Sequence, residues 1–453
     1  MSEFEIGTQA KRRCDLLGTG PFSEVEGQLT RRFLTPAHAR ALDQLAVWMA
    51  EAGMSVRRDA AANLIGRYEA ATSDAPALLI GSHIDSVRNG GRYDGPLGIL
   101  LGIDLVEALH RAGRRLPFAV EVVAFGDEEG SRFPASMSCS RALAGTLDPE
   151  AVLALRDADG VTLAEAFTAF GLDPARITEA ARKRSEVIAF LEAHIEQGPV
   201  LEAEDLALGV VTAIAAQKRL IVKITGTAGH AGTTPMNLRK DPGPAAAECM
   251  LALERICQAG TDNLVGTVGR MTALPGAFNV IPGAVEFSMD IRAENSATRD
   301  AAVEAVTAEI HAIAARRGLA ASVTLMQALS ESPCDPGLTT LLEAAVGDLG
   351  LPARRLPSGA GHDAMVMADL CPTAMLFIRC EGGISHNPAE SVTEADCALA
   401  VRAMLGFVDK LADQFSRQTS LSSRSERDSA ERRDPGATRA APGSRSAPSG
   451  RPG

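Results

Sequence analysis

The sequence predicts an α/β protein: a layered main domain on a mixed sheet, interrupted by an inserted ferredoxin-like domain. Three observations lead there. Over residues 1–213, short apolar runs such as PALLIGS and PFAVEVVAF alternate with amphipathic helical stretches, which is the rhythm of layered sheet and helix. Residues 214–330 read strand, helix, strand, strand, helix, strand, the split βαββαβ order of a compact inserted unit. Strand character then returns at TAMLFIRC, so residues 331–415 complete the first domain.

The elements follow in order. TPAHARALDQLAVWMAEAG reads as an amphipathic helix ending at Gly53, and PALLIGS as a buried strand. GPLGILLGIDLVEALHRAG is the next helix, and PFAVEVVAF is the β-branched run of a strand covered on both faces. Within the insertion, RLIVKITGTAG is a strand and PGPAAAECMLALERICQAG a helix. LVGTVGRMTAL and GAVEFSMDIRAE are strands; the second turns Glu286, Ser288, Asp290 and Arg292 to one face and Val285, Phe287, Met289 and Ile291 to the other. RDAAVEAVTAEIHAIAARRG spaces Val303, Val306, Ile310 and Ile313 by threes and fours before Gly318 stops it, and ASVTLMQAL is the last strand. Residues 416–453 are rich in Arg, Ser, Pro and Gly and poor in large apolar side chains, the composition of a disordered tail.

Composition removes several function classes. A net charge of −12 opposes general nucleic-acid binding. No run approaches the roughly 20 apolar residues of a membrane span, and MSEFEIGTQAKRR lacks a signal peptide's apolar core, so a cytoplasmic protein is expected. The eight cysteines form no C-x-x-C pair. They read as buried or inert thiols, and any metal must be held by histidines and carboxylates.

One stretch raises the question of chemistry. AFGDEEGSRFP crowds Asp127, Glu128 and Glu129 at the end of a strand. Adjacent carboxylates repel, so the crowding serves either a solvated turn or a site where cations offset the repulsion and one acid is kept as a base. On extended backbone Glu128 and Glu129 point to opposite sides, and ligands of open α/β sheets gather at strand carboxyl ends. Histidines mark other strand ends: His83 and Asp94 in GSHIDSVRNGGRYDG, His194 with Glu196 and Gln197 in LEAHIEQGPVLE, His230 in TGTAGHAGTTP and His386 in EGGISHNPAE. Each alone is more often a hydrogen-bonded structural residue. Together they form a thiol-free His and carboxylate set suited to Zn²⁺, Mn²⁺, Co²⁺ or Ni²⁺. His38, His110 and His311 fall in predicted helices as surface or core residues, while His362 in SGAGHDAM suits a tight loop near a site and a structural hydrogen bond equally. GTAGHAGTT lacks the G-K-[ST] ending of a phosphate loop.

In order along the chain, GSHIDSVRNGGRYDG, FGDEEGSRFP, HIEQGP, GHAGTTPM, SGAGHDAM and GGISHNPAE make residues ~10–412 resemble the hydantoinase/carbamoylase family of binuclear metal amidohydrolases. That family lies within the larger group of aminoacylase-like metallopeptidases. The resemblance implies two divalent ions per subunit bridged by Asp94, with His83 and His194 completing one site and Glu129 and His386 the other. It makes Glu128 the general base, leaves Asp127 as a solvated or hinge-bonding acid outside the ligand set, and gives Gln217, His230, Asn279 and Arg292 to the substrate. Arg292 has a plainer role too, as a surface arginine paired with Asp290 or Glu286. The inserted domain is implied to be a lid and homodimer contact, with His230 serving the partner's site and stabilising the oxyanion. Cys139 stands where the family pattern suggests glycine, which bears on the packing of that loop.

The implied reaction removes a terminal carbamoyl (ureido) group from a small carboxylate-bearing substrate. The wording of the motifs favours allantoate amidohydrolase, then N-carbamoyl-L-amino-acid hydrolase, then β-ureidopropionase; a dipeptidase or aminoacylase is a rival enzyme. A reading of another class is a non-catalytic metal-binding dimerisation module, and the base at Glu128 speaks against it.

Overall fold

The computed structural model of the chain describes residues 7–433, with side chains to residue 418. Its larger sheet runs in the order Ser55–Arg58, Leu64–Tyr68, Ala119–Phe125, Ala77–His83, Val187–Ile195, Thr373–Ile378, Leu208–Ile214 and Ser332–Pro333, with Arg354–Ser358 also on Leu208–Ile214. The centre of the sheet is parallel and its flanks mostly antiparallel, the mixed sheet expected. Ala77–His83, Ala119–Phe125 and Thr373–Ile378 are buried throughout, as strands covered on both faces must be. Each fully buried Leu, Ile, Val or Phe there stabilises the fold by about 1.5–3 kcal/mol.

Parallel pairing decides where the site can form. His83 lies opposite Phe125, and His194 opposite Phe377. Strand ends far apart in sequence therefore open on one edge. The helix Pro96–Arg111 crosses the sheet closely because of Gly98, where a Cβ would stand 2.1 Å from the Ala193 carbonyl oxygen.

The second sheet is antiparallel and has its own apolar cluster, including Val222, Phe287, Met289, Val306 and Ile310. Its order is Met271–Leu274, Ala284–Ala293, Ala216–Thr225, Ala320–Leu329, with Val265–Thr267 also on Ala284–Ala293. The run read as one strand, LVGTVGRMTAL, is thus two short pieces, broken where Arg270 donates its backbone N–H to Ser288 Oγ. Helices Pro242–Gln258 and Ser296–Arg316 pack on the sheet. Along Ala284–Ala293 the side chains alternate as the sequence suggests, with Phe287, Met289 and Ile291 buried.

One expectation fails. The last helix runs Glu394–Arg433, so residues 416–433 continue a helix where the composition suggested a disordered tail. No Pro or Gly interrupts that segment before Pro435. A helix already nucleated against the body extends one residue at a time at little cost until a proline forbids the α conformation before it. Residues 434–453 of the expected tail lie outside the described residues. All eight cysteines are free, and seven of them buried. Cys139 is accommodated, its thiol donating to Ala61 O at 3.1 Å. Among the described residues no helix is long and apolar enough to cross a membrane.

Candidate metal and substrate site

Asp94 sits between three histidines. Its Oδ1 is 3.4 Å from His83 Nε2 and 3.2 Å from His194 Nε2, while its Oδ2 is 3.4 Å from His386 Nε2. Glu129 Oε1 is 3.6 Å from His386 Nε2, and Glu128 Oε2 is 4.0 Å from His83 Nε2. The side chains form overlapping groups whose ligand atoms lie within 4.8 Å of one another: His83, Asp94 and His194; Asp94, Glu129 and His386; His83, Glu128 and Glu129. Asp94 belongs to two of these groups, one through each oxygen, as a carboxylate bridging two ions would.

Local structure explains how Asp94 gets there. Gly95 follows it at φ +87°, and a Cβ at that position would meet the His83 ring at 2.5 Å, so only glycine makes this turn without strain. Glu390 Oε1 accepts the backbone N–H groups of Tyr93 and Asp94 at 2.8 and 3.0 Å. Gln197 Nε2 and Ser385 Oγ donate to Asp94 Oδ2 at 2.8 and 2.7 Å. Gln197 and His386 themselves have positive φ, 57° and 55°, a conformation that non-glycine residues hold only where surrounding contacts enforce it.

The donor set fits cations. His83 Nδ1 donates to Asp85 O at 3.1 Å and His194 Nδ1 to Ile195 O at 2.9 Å. A carbonyl oxygen only accepts, so in the neutral rings both Nε2 atoms carry lone pairs. Those lone pairs face carboxylate oxygens, and His194 Nε2 is buried with no hydrogen-bond partner despite its 3.2 Å approach to Asp94. Acceptors converging on one another are repulsive unless a cation lies between them. The backbone carbonyls fix the tautomer and the ring orientation that such ligation needs.

The electrostatics describe the same congestion. Burial pushes Glu128 well above the usual carboxylate range; His83 opposes this and Glu129 adds to it. Burial likewise pushes Glu129 up to about 8. With no cation between them, burial works against charge on His83, but the carboxylates of Asp85 and Asp94 outweigh it and raise the pKa. Under the same condition burial opposes the charge on Asp94, yet the close approach of His194 and His83 as charged rings holds it well below its ordinary value.

Asp85 fixes the backbone of the acid turn while its charge adds to the repulsion there, and the sequence reading passed it over. Its Oδ1 and Oδ2 accept the backbone N–H groups of Glu128 and Glu129 at 3.1 and 3.2 Å. The available signal was an acid two residues after His83, in the same quoted motif. Glu390, in the quoted EGGISHNPAE, was likewise passed over. Asp127 differs from expectation: it is 1% exposed rather than solvated, and burial, reinforced by Asp85, pushes its carboxyl well up. The strand end carries it inward under the Ser138–Ala144 helix. His362 fulfils both of its readings, bonding Ser358 Oγ at 2.8 Å and meeting the His194 ring edge-on at 4.4 Å. His38 is a core residue and His110 and His311 are exposed.

The substrate set is more dispersed. Gln217 and Arg292 are cross-strand neighbours, and both bind Asp290, so the pairing proposed as Arg292's plainer role is present; Glu286 is instead engaged by Arg270. A cavity of about 790 Å³ lies over this sheet face, and one of about 500 Å³ runs from Arg292 to Gln197, whose amide touches Asp94. Val265, Arg292 and Gly359 line both. His230 is exposed on a short ribbon paired with Val280, and Ala231 N donates to Asn279 O. Neither His230 nor Asn279 joins the ligand cluster or lines either cavity.

Comparison with known proteins agrees with this geometry. Residues 79–410 match the model of peptidase family M20/M25/M40. The chain is 45% identical over 386 residues to an N-carbamoyl-L-amino acid amidohydrolase of Geobacillus stearothermophilus, covering 85% of this chain and 94% of that one. It is 41% identical over 436 residues to a probable allantoate deiminase of Oryza sativa subsp. japonica, covering 89% of each. Among solved structures, a hydantoinase/carbamoylase family amidase from Burkholderia ambifaria aligns with a TM-score of 0.81 at 36% identity, over 89% of this chain and 96% of that one.

Proposed function

Because the chain belongs to the M20/M25/M40 peptidase family of metal-dependent hydrolases, we propose that it hydrolyses the carbamoyl C–N bond of a ureido acid at a site of two divalent ions. His83 and His194 would hold one ion, Glu129 and His386 the other, and Asp94 would serve both. The observation that carries this is the position of Asp94, one oxygen toward His83 and His194 and the other toward His386. Zn²⁺, Mn²⁺, Co²⁺ and Ni²⁺ all suit these donors. When bound, such ions polarise a carbonyl and acidify water.

The chain's own residues do the rest. Glu128, 4.0 Å from His83 and in no group with the bridging Asp94, takes a proton from the attacking water and delivers it to the leaving nitrogen. Arg292 holds the substrate carboxylate through paired N–H donors, which a lysine could not match. Gln217 and Asn279 supply further polar contacts. The unit 214–330 acts as a ferredoxin-like lid and dimer contact, with the rest of the chain as catalytic domain. Exposed Met236, Leu238, Met271 and Phe278 on that unit support a second copy as the partner. His230, remote from its own chain's cluster, then stabilises the oxyanion in the partner's site. Mixing His230→Ala with Glu128→Gln subunits should restore turnover; no recovery would remove His230 from that role.

Allantoate is the substrate first proposed, giving ureidoglycine, ammonia and CO₂. N-carbamoyl-L-amino acids are the second reading, favoured by the 45% identity to the Geobacillus stearothermophilus enzyme. Ammonia release by metal-loaded protein from allantoate, N-carbamoyl-L-amino acids and N-carbamoyl-β-alanine tests both. Release from none of them refutes the ureido-acid assignment.

A further inference from the structure

The grip expected of Arg292 already holds a carboxylate, and that carboxylate belongs to the chain. Arg292 donates Nε to Asp290 Oδ1 at 2.9 Å and Nη2 to Oδ2 at 3.0 Å. Gln217, opposite Arg292 across the strand pair, donates Nε2 to the same oxygens at 3.1 and 2.9 Å. Arg219, opposite Asp290, adds Nε at 3.0 Å. Burial opposes the charge on Asp290, but its hydrogen bond and ion pair with Arg292 prevail and lower its pKa.

Two orientations follow. A guanidinium presents its donors in one rigid plane. With the Nε–Nη2 edge taken, one hydrogen of Nη1 goes to Gly359 O at 2.6 Å, on the wall shared by the two cavities, and the donors left for a ligand are the second hydrogens of Nη1 and Nη2. Gln217 has no such choice of end either. A carboxylate only accepts, so the NH₂ group must face Asp290 and the amide oxygen must turn away. One side chain thus fixes the plane of Arg292, which lines both cavities and can meet a substrate carboxylate, and the direction of the buried Gln217 amide beside it.

We infer that Asp290 is the positioning residue of this grip and sets the preference for a ureido acid with a free carboxylate over its uncharged counterpart. The inference rests on the ureido-acid reading of the site. Neutralising Asp290 lets the Gln217 amide reverse and loosens the Arg292 plane, so the pattern of donor and acceptor is lost.

The test compares N-carbamoylglycine with N-carbamoylglycinamide on the full-length, metal-loaded protein and its Asp290→Asn variant. The variant is expected to raise KM for the acid at least tenfold more than for the amide, with a smaller change in kcat, and Asp290→Glu to recover part of the loss. A lower KM in Asp290→Asn would mean that Asp290 merely competes with substrate, and equal changes for acid and amide would mean it does not select; either overturns the inference. Should Asp290→Asn not fold, Asp290→Glu carries the same comparison. Calorimetric titration with N-carbamoylglycine separates the two levels. If the wild type binds the acid at least tenfold more tightly than the variant yet releases no ammonia, the ureido-hydrolase reading fails and the role of Asp290 stands. Equal binding by both proteins removes Asp290.

Discussion

The two sheets place their functional side chains by opposite means. On the larger sheet they come from the carboxyl ends of parallel strands and the loops beyond them, with His83 and His194 each 1% exposed and His386 open to solvent. On the smaller sheet Gln217, Asp290 and Arg292 lie within antiparallel strands, fixed by register, with Asp290 and Arg292 open to a cavity and Gln217 buried beside them. The contrast teaches that converging charge is assembled where buried strands end, since there distant segments meet at one edge of the sheet. Recognition of a small anion needs only one sheet face with the right alternation. Charged pairs are correspondingly worth more at the first site than at the second, where solvent screens them.

The comparison breaks most directly at Glu128. Glu128→Gln should lower turnover by roughly 10²–10⁴-fold while metal content, read by elemental analysis, stays at the wild-type level. Turnover near the wild-type rate would deny it the role of base. Asp85→Ala comes next. Freeing the Glu128 and Glu129 backbone should cost about 10–100-fold in activity or metal affinity, the usual effect of an outer partner; an unchanged metal titration and rate would show that the acid turn holds itself. On the open sheet Arg292→Lys should raise KM for carboxylated substrates about tenfold, in line with loss of a hydrogen bond to a charged group. A KM unchanged within error removes Arg292 from the grip.

The smallest effect concerns pH and His38, which packs between Phe33 and Phe170 beneath the acid turn. Burial pushes its pKa down to about 3, with Arg31 and Arg58 adding to the effect. The folded state therefore binds fewer protons at this ring than the unfolded state, whose ordinary value is about 6.5. The stability it contributes is complete above that value and is lost as pH falls toward about 3. Thermal melts of His38→Gln should accordingly fall less steeply with acid than those of the wild type over this window; parallel slopes would mean the ring is protonated in the native state.

Much of this was legible in the residues. HIEQGP, GHAG and the Asp-Glu-Glu run stand out because chemistry confines them to a few residue types beside glycine. The alternation of GAVEFSMDIRAE reveals its buried face for the equally local reason that successive strand side chains alternate. The helix through residues 416–433 was not legible, since composition measures whether a segment can bury a core, not whether it can prolong a helix that has one.

What the sequence determined by itself was the kind of site: histidines and carboxylates without thiolates, at the ends of apolar runs, with an independent αβ unit between. Tertiary structure alone decided which groups serve it. Glu390 reaches the backbone of Asp94 from 296 residues away, and Asp85 braces the backbone of the acid turn from behind. Gln217 and Arg219 reach Asp290 because the register of two strands sets them beside it. The physical reason is common to all three. Hydrogen bonds reach about 3 Å, and which polar atoms come within that distance is settled by strand pairing and packing, on which local pattern carries no information.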